Sequence, residues 1–251
     1  QPYETTKPKE LLAHLVPLMI ERMAAFDGTT TSVLLEVGTR AISSKQLLFY
    51  MTDQKIQKII EQFHAAGSLA SFQGDYLAMV SANIRGNKTD RVIRTVVDRI
   101  ATVQDDGGID ATITLKRSHG GVKGAKFTGV RNYTYMRFYV PKGSVLVSAT
   151  GFSESPGALF ETPNSHAVPD QDLARIEKNM HFDARFPVTL SEEFGKTVFG
   201  AWTIIDPGET TTLSLAYSVP LSLTPGYALL WQKQPGTESM PFTSTVVLPS
   251  H

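Results

Sequence analysis

The chain has 251 residues with 24 basic and 24 acidic side chains, so its formal net charge is zero at pH 7. This balance provides no overall attraction to nucleic acid or to anionic lipid. The lack of cysteine excludes disulfides, thiolate nucleophiles and cysteine-ligated zinc. An apolar fraction of 41% is enough for a sizeable core, in one large domain or in two modest ones.

The start of the chain has no basic segment followed by an apolar one, so it does not resemble a signal peptide. Its longest apolar runs are well short of the roughly 20 residues that cross a bilayer, and we expect no membrane span. Because the chain begins with Gln1 rather than Met, we expect a soluble piece of a longer protein, in which any membrane anchor would lie upstream.

The first part of the chain has a helical pattern of apolar residues. Three helices are predicted, over residues 8–25, 31–41 and 54–65. Pro17 should kink or split the first helix, and Thr52-Asp53 forms an N-cap for the third. The short, partly aromatic run at residues 47–50 predicts a strand rather than a helix.

From the Asn83–Asp90 turn onward, short apolar runs alternate with turn residues. Beyond a short buried strand at residues 76–80, strands are predicted at residues 91–104, 110–117, 131–140, 145–149, 197–205, 210–219, 227–234 and 243–248. Asp105–Gly108 predicts a hairpin turn, and residues 151–170 predict a long loop. The pattern is typical of an immunoglobulin-like antiparallel β-sandwich.

The sequence therefore predicts an α+β chain. A small helical α/β region covers residues 1–90, and the β-sandwich covers residues 91–251. Trp202 and Trp231 are interpreted as core anchors of the sandwich.

Several stretches carry a family resemblance: GDYLAMVSANIRGNKTD, RNYTYMRFYVPKGSVLVSATG, GKTVFGAWTIIDPGETTTLSLAYSVP and YALLWQKQPGTESMPFTSTVVLP. With the helical PKELLAHLVPLMIERM and KQLLFYMTDQKIQKIIEQF, they resemble the C-terminal part of the bacterial domain-of-unknown-function family numbered 4012, in the same order along the chain. The resemblance implies an extracytoplasmic body on a membrane anchor. It also implies an upstream region distantly similar to the LytR–CpsA–Psr enzymes, which transfer glycan polymers onto cell wall.

The sharpest local cluster of polar residues is the turn after the 76–80 strand. Asn83, Asn87, Lys88 and Asp90 surround Gly86, which lets the backbone approach a ligand. Their oxygens suit a cation or a sugar hydroxyl. The alternative is an Asx-type turn between two strands, with Lys88 and Asp90 paired locally.

A second candidate site lies along the 131–140 strand. Arg131, Tyr133, Tyr135, Arg137 and Tyr139 share one face of this strand. An exposed tyrosine row beside arginine suits stacking on sugars or on a protein partner. The alternative is that one face of the strand lies in the core and the other makes cross-strand pairs.

Other chemistries have weak sequence support. The histidines show no HxH or HExxH spacing, the chain has no GxSxG motif, and we predict no metal site and no cofactor. His119 and His166 fall in predicted loops and are interpreted as solvated. The carboxylates between Asp170 and Glu177 are interpreted as ion-pair partners in a short helix.

The sequence predicts a non-catalytic binding or structural module of a bacterial envelope protein. Its expected partner is cell-wall or capsular glycan or an envelope protein, and not nucleic acid. The alternative is an accessory part of an envelope glycan-transfer enzyme with its catalytic residues upstream, which predicts an exposed apolar face on the N-terminal helices. A third hypothesis is a hydrolase built from loops, which requires a pocket holding histidine and carboxylate together.

Overall fold

The computed structural model of the protein describes residues 10–24, 28–220, 226–238 and 240–249. Within these ranges the chain forms four α-helices and eleven strands, so the α+β class is confirmed. The chain divides into two compact units, residues 1–68 and residues 69–251, which we call the helical unit and the two-sheet unit. In the described ranges, every helix is too short or too polar to cross a bilayer.

The helical unit contains α1 (Glu10–Ala24), α2 (Gly28–Ser43) and α3 (Gln54–Gln62). Pro17 lies inside α1, and the helix continues on both sides of it. The Asp53 carboxylate caps α3 as predicted, because it accepts hydrogen bonds from the backbone N–H of Lys55 at 2.8 Å and of Ile56 at 3.2 Å.

The prediction of a strand at residues 47–50 is wrong. These residues form an irregular connection between α2 and α3, where the Phe49 N–H donates to the Ala65 carbonyl at 2.9 Å. The backbone thus finds a partner just beyond the end of α3. A β-rich composition produces a strand only where another strand lies beside it.

The two-sheet unit contains eleven strands and one short helix. They are β1 (Asp75–Asn83), β2 (Ile93–Val103), β3 (Ile109–His119), β4 (Asn132–Pro141), β5 (Val145–Thr150), α4 (Gln171–Ile176), β6 (His181–Phe182), β7 (Val188–Glu193), β8 (Lys196–Ile205), β9 (Thr210–Val219), β10 (Leu229–Gln232) and β11 (Phe242–Val247). Sheet A has the strand order β10-β1-β4-β8-β7-β6, and sheet B has the order β11-β2-β3-β9-β5.

Both sheets are mixed rather than antiparallel. The last two strands pair in parallel with the first two, β10 with β1 and β11 with β2, while the other pairs are antiparallel. The prediction of an antiparallel arrangement is therefore wrong for these two pairs. The physical reason is that period-two alternation shows which side chains face inward and carries no information about the direction of the neighbouring strand.

One hydrophobic core joins the two sheets. Sheet A contributes Leu77, Phe138 and Phe199, and sheet B contributes Leu115 and Leu215, all with essentially no exposed surface. In β3 every second side chain is buried, so one face of this strand lies against the core. Each large apolar side chain of this kind stabilises the fold by about 1.5–3 kcal/mol through burial.

Strand β1 lies within the two-sheet unit. It forms hydrogen-bonded ladders with β4 on one side and β10 on the other, and the compact unit begins at Leu69. The predicted boundary at residue 90 therefore falls inside this unit, in the 3-10 turn at Thr89–Val92 that connects the sheets. The helices end with α3, earlier than the change in sequence pattern at the Asn83–Asp90 turn suggests.

The hairpin formed by β7 and β8 is not predicted from the sequence. Its two-residue turn consists of Phe194 and Gly195, both with positive φ, and Glu193 pairs with Lys196 across it. A turn of this geometry is normally signalled by Asn-Gly or Asp-Gly. Phe at the first position hides that signal.

Candidate functional site

The turn after β1 is tied to β4 by side-chain hydrogen bonds. Asn83 Nδ2 donates to the buried Thr89 hydroxyl at 2.9 Å. Asn132 Nδ2 donates to the same hydroxyl at 3.0 Å and to Asp90 Oδ1 at 3.0 Å. Asn83 Oδ1 is buried and has no hydrogen-bond partner among the described residues. Asn83 and Asp90 thus help to hold the turn in place.

The other two polar residues of this turn point elsewhere. Asn87 is exposed and has a left-handed backbone, with φ of 59°. The Lys88 ammonium lies 5.4 Å from the centroid of the Phe127 ring, and the Lys88 backbone N–H donates to the Phe127 carbonyl at 3.1 Å. Lys88 therefore contacts the loop between β3 and β4 rather than Asp90. Across the described ranges, no cluster of three or more histidine or carboxylate side chains is arranged to hold a metal ion.

Arg131 precedes β4 and fastens it to the β8–β9 turn. Its Nε donates to Asp206 Oδ1 at 2.7 Å and its Nη2 donates to Asp206 Oδ2 at 2.5 Å, in a bidentate pair. These hydrogen bonds lower the pKa of the Asp206 carboxyl. Both side chains remain partly exposed. The arrangement leaves Arg131 at the margin of the outer face of sheet A.

The outer face of sheet A carries the predicted tyrosine row. Tyr139 is buried, and its hydroxyl donates to Glu193 Oε2 at 2.8 Å; Arg137 Nη1 donates to the same oxygen at 3.2 Å. Burial raises the pKa of Tyr139, and the hydrogen bond to Glu193 raises it further. Tyr133 and Tyr135 are half-buried. The tyrosine row therefore changes from half-buried to buried along β4.

Tyr135 packs against two residues of β8. Its ring centroid lies 5.1 Å from that of Trp202, its cross-strand partner. A Cβ atom on Gly200 would collide with the Tyr135 hydroxyl and ring, so the lack of a side chain at Gly200 makes room for the tyrosine. Burial raises the pKa of Tyr135.

Replacing Gly200 with alanine is expected to displace the Tyr135 ring. The collision should lower the free energy of unfolding by about 1–3 kcal/mol, as overpacking does in other cores. Gly157→Ala is the matched control, because its added methyl group would meet open space. Chemical denaturation of both variants measures the effect. Equal stability of the two variants would contradict the close packing of Tyr135 on Gly200.

Four aromatic side chains lie at this end of sheet A. We call Tyr133, Tyr135, Trp202 and Phe160 the aromatic face. The Phe160 ring, in the long loop after β5, lies 5.8 Å from Trp202, and Arg85 lies 5.4 Å above the Tyr133 ring. Three arginines surround the aromatic face: Arg85, Arg131 and Arg137. Flat rings with guanidinium donors beside them suit sugars or planar groups.

Trp202 was interpreted from the sequence as a core anchor, but the structure places it half-buried on the outer face of sheet A. The signal was present in β8, where Phe199, Ala201 and Thr203 face the core and alternation places Trp202 on the opposite side. Trp231 packs partly against the core and stacks on Phe242 at 4.5 Å, as a core anchor should.

His119 is the last residue of β3 and is buried. Gly121 N–H donates to its Nδ1 at 3.1 Å, and its Nε2 lies 2.9 Å from the Val130 carbonyl oxygen, so Nε2 carries the proton of the neutral ring. The interpretation of His119 as a solvated loop residue is wrong, because the inward alternation of β3 continues to this position. His166 is exposed, as predicted.

The acidic segment after the long loop forms α4. Asp170 caps this helix through hydrogen bonds from the N–H groups of Asp172 at 2.8 Å and Leu173 at 3.0 Å, and Arg175 pairs with Asp172. The prediction of a short helix with an ion pair three residues apart is confirmed for Asp172 and Arg175, whereas the capping role of Asp170 was not predicted.

An open depression of about 320 Å³ lies at the end of sheet B near the β2–β3 turn. Asp106 and Asp110 line it together with Gln104 and the backbone around Gly143. Its described lining contains carboxylates and no histidine, so it does not provide the histidine–carboxylate pair that the hydrolase hypothesis requires.

Two buried arginines were not anticipated. Arg99 in β2 forms an ion pair with Asp75 in β1 and donates to the Tyr227 hydroxyl at 2.6 Å; that hydroxyl donates to Asp75 Oδ2 at 2.7 Å. Burial acts to lower the pKa of Arg99, but Tyr217 and Asp75 outweigh it and the pKa is raised. The Arg99 network therefore joins the two sheets through matched charges.

Arg117 in β3 has neutral partners instead. It donates to the hydroxyls of Thr203 at 3.0 Å and Thr134 at 3.4 Å, while Thr134 donates to Asn132 Oδ1 at 2.6 Å. Burial lowers the pKa of Arg117 to about 10, with Asp90 acting in the opposite direction. Through Asn132, this Arg117 network continues to the turn at Asp90.

The chain thus belongs to the class of α+β proteins with a two-sheet unit, and its candidate site is an open face rather than a deep cleft. A scan of protein-family models and a search of curated proteins each gave no match to the chain. The resemblance to the family numbered 4012 stays a prediction.

Proposed function

We propose that the two-sheet unit is a non-catalytic binding module that recognises cell-envelope glycan through its aromatic face. In this proposal the unit is an immunoglobulin-like sandwich with one parallel strand added to each sheet. The single observation that carries the proposal is the cross-strand placement of Tyr135 beside Trp202, with Tyr133 two residues away on the same face of β4 and the Phe160 ring in contact with Trp202.

The geometry suits a polysaccharide because sugar rings have an apolar face that stacks on aromatic rings and equatorial hydroxyls that need donors and acceptors. Tyr133 and Tyr135 are separated by one pleat repeat, about 7 Å, which lets two rings contact neighbouring parts of one extended chain. Arg137 and Arg131 place guanidinium donors at the margin of the same face. An open face accepts a long polymer without requiring a chain end.

The proposed location is the extracytoplasmic side of a bacterial membrane, with the chain anchored through an upstream segment. The support for this location is the resemblance to the envelope family numbered 4012. A wall or capsular polymer is the glycan that a module at this location meets.

Tyr133→Ala tests the proposal. Its ring is half-exposed and contacts Arg85, so its loss should remove stacking area while leaving the core intact. We expect about tenfold weaker binding to purified cell-wall or capsular glycan, as the loss of one aromatic contact implies. Titration calorimetry measures the dissociation constant.

Phe194→Ala is the matched control, because Phe194 is an exposed aromatic residue in the β7–β8 turn, away from the aromatic face. It should bind like the unmodified chain. Equal binding by the Tyr133→Ala variant would reject the aromatic face as the site. Absence of glycan binding by the unmodified chain would reject the proposed function itself.

A second candidate function is an accessory role beside an envelope glycan-transfer domain. The observation that favours it is the apolar surface of the helical unit, where Leu11 is 73% exposed and Ile20 is 62% exposed, both in α1. Exposed apolar surface of this kind marks a site of protein association. The same glycan titration separates the candidates, since an accessory part gives no saturable binding by itself.

A further inference from the structure

Strand β11 differs from the other edge strands of the two sheets. In sheet A the edge strands are short, with four residues in β10 and two in β6. In sheet B, strand β5 is interrupted by an irregular register between Leu146 and Ser148. Short length and irregularity are the usual protections of a sheet edge. Strand β11 has neither, because its six residues pair with β2 without interruption.

The composition of β11 also leaves its edge open. The sequence FTSTVV contains no charge, no proline and no glycine, although charge and proline are the residues that natural edges use against pairing. The residues from Thr243 to Val247 are exposed, and in the described ranges β2 is the strand that pairs with β11. Phe242 is anchored from inside by its stack on Trp231. Among the described residues, the strand is therefore held in place with its second edge unpaired.

The hydrogen-bond pattern identifies the backbone groups on that edge. Val97 N–H donates to the Pro241 carbonyl at 3.0 Å, which fixes the phase of the parallel ladder. In a parallel pair, alternate residues of a strand direct both backbone groups to the partner. Thr243, Thr245 and Val247 therefore face β2, and the N–H and C=O groups of Phe242, Ser244 and Val246 face outward.

We propose that β11 pairs antiparallel with β11 of a second copy of this chain, about a two-fold axis at Ser244. In this register Ser244 lies opposite Ser244 of the partner subunit, and Phe242 lies opposite Val246 of the partner subunit. Each of the three outward residues donates one N–H and accepts one, so the free groups of both edges are satisfied. The two copies of sheet B become one continuous sheet.

A second copy is the occupant that the strand itself specifies. A two-fold interface requires a self-complementary surface. In this register, Phe242 meets Val246 of the partner subunit on each side of the two Ser244 side chains. Neither edge carries a charge that would repel its own copy. Phe242 packs against the core, so Ser244 and Val246 share the core side of the sheet, and pairing extends that apolar side.

Ser244→Pro tests the proposal through the backbone. Proline at this position removes an outward N–H and keeps the ladder to β2, since edge strands accept proline where the N–H faces solvent. We expect the unmodified chain to dimerise in analytical ultracentrifugation. The proline variant should raise the dimer dissociation constant roughly tenfold or more, because two hydrogen bonds are lost per dimer. Ser244→Ala retains the N–H and should dimerise normally.

A cysteine pair reports the register. The chain has no cysteine, so Ser244→Cys introduces a single thiol, which the two-fold axis places opposite its own copy at a Cα separation of about 5.5 Å, within disulfide range. Thr243→Cys is the matched control, since it lies on the other side of the sheet and is opposite Thr245 of the partner subunit. We expect rapid disulfide cross-linking of the first variant and at least tenfold slower cross-linking of the second.

The proposal would be overturned by a chain that stays monomeric at several hundred micromolar, by a dimer unaffected by Ser244→Pro, or by equal cross-linking of the two cysteine variants. The second and third outcomes would assign association to another surface, such as the apolar helices. Binding of a synthetic peptide with the 241–248 sequence by a chain that stays monomeric would also overturn it, since the edge would then accept an isolated strand and not a second copy.

Discussion

Replacing Arg99 with methionine is expected to lower the free energy of unfolding by about 3–5 kcal/mol, which is the cost of leaving one member of a buried ion pair alone. Arg99 and Asp75 have no exposed side-chain surface, and their charges meet between the two sheets. Without the guanidinium, the Asp75 carboxylate keeps two hydrogen bonds, from Tyr227 and from the Tyr76 backbone N–H. These neutral donors do not replace a full positive charge.

Breaking this pair should lower the free energy of unfolding more than breaking any other ion pair among the described residues, because the other pairs are at least partly exposed. Arg175→Met is the matched control, since it breaks the exposed pair with Asp172 on α4 and should change stability by about 1 kcal/mol or less. Urea denaturation at neutral pH measures both variants. Similar losses for the two variants would contradict the buried pairing of Arg99.

A double-mutant cycle separates the pair from its surroundings. Asp75→Asn removes the carboxylate charge and leaves Arg99 unpaired, so the single variant should also be strongly destabilised. The variant with both Asp75→Asn and Arg99→Met contains no buried charge at this place, and we expect its loss to be smaller than the sum of the single losses by about 1–3 kcal/mol. Additive losses would show that the two side chains do not interact.

Strands in sheet B could be predicted because their side chains alternate strictly. The residues of β3 from Ile109 to Leu115 face the core at every second position, and the Asp105–Gly108 turn marks the hairpin with β2. The parallel direction of β10 and β11 could not be predicted, because a strand has the same alternation in either direction. The direction of these two strands is set by tertiary contacts with β1 and β2, which lie far away in the sequence.

The candidate site was likewise predicted from the sequence only in part. Alternation along β4 places Tyr133 and Tyr135 on one face, as the sequence analysis predicted. The packing of Tyr135 depends on Gly200 and Trp202 in β8, and Tyr139 is held by Glu193 in β7; these partners lie more than 50 residues further along the chain. Contacts at that separation are fixed by the fold and leave no local pattern.

The buried arginines show where two sequence signals disagree. Alternation puts Arg99 on the same side as Val97 and Ala101, and Arg117 on the same side as Leu115, which indicates burial for both. Their charge indicates exposure, and charged residues are rarely buried without a partner. The two arginines differ in their direct partners: Arg99 pairs with a carboxylate in β1, whereas Arg117 donates to hydroxyls and a thioether.

Replacing Arg117 with methionine is therefore expected to raise the free energy of unfolding by about 1–2 kcal/mol, because a poorly compensated buried charge is replaced by an apolar chain of similar length. The lowered pKa of Arg117, about 10, shows that its surroundings disfavour the charge. Methionine fits the site, which already holds Met136 at 3.6 Å from the guanidinium. The Thr134 hydroxyl keeps its hydrogen bond to Asn132.

Arg117→Lys is the matched control, because it retains the charge and loses the planar donors that reach Thr203 and Thr134; we expect it to be less stable than the unmodified chain. Denaturation of the two variants at pH 7 measures the difference. If Arg117→Met lowered the free energy of unfolding by about 3 kcal/mol or more, the expected stabilisation would be wrong, and Asp90 would be the residue that compensates the charge of Arg117. Asp90→Asn would then be equally damaging, whereas an uncompensated Arg117 predicts that Asp90→Asn costs little beyond its hydrogen bond to Asn132.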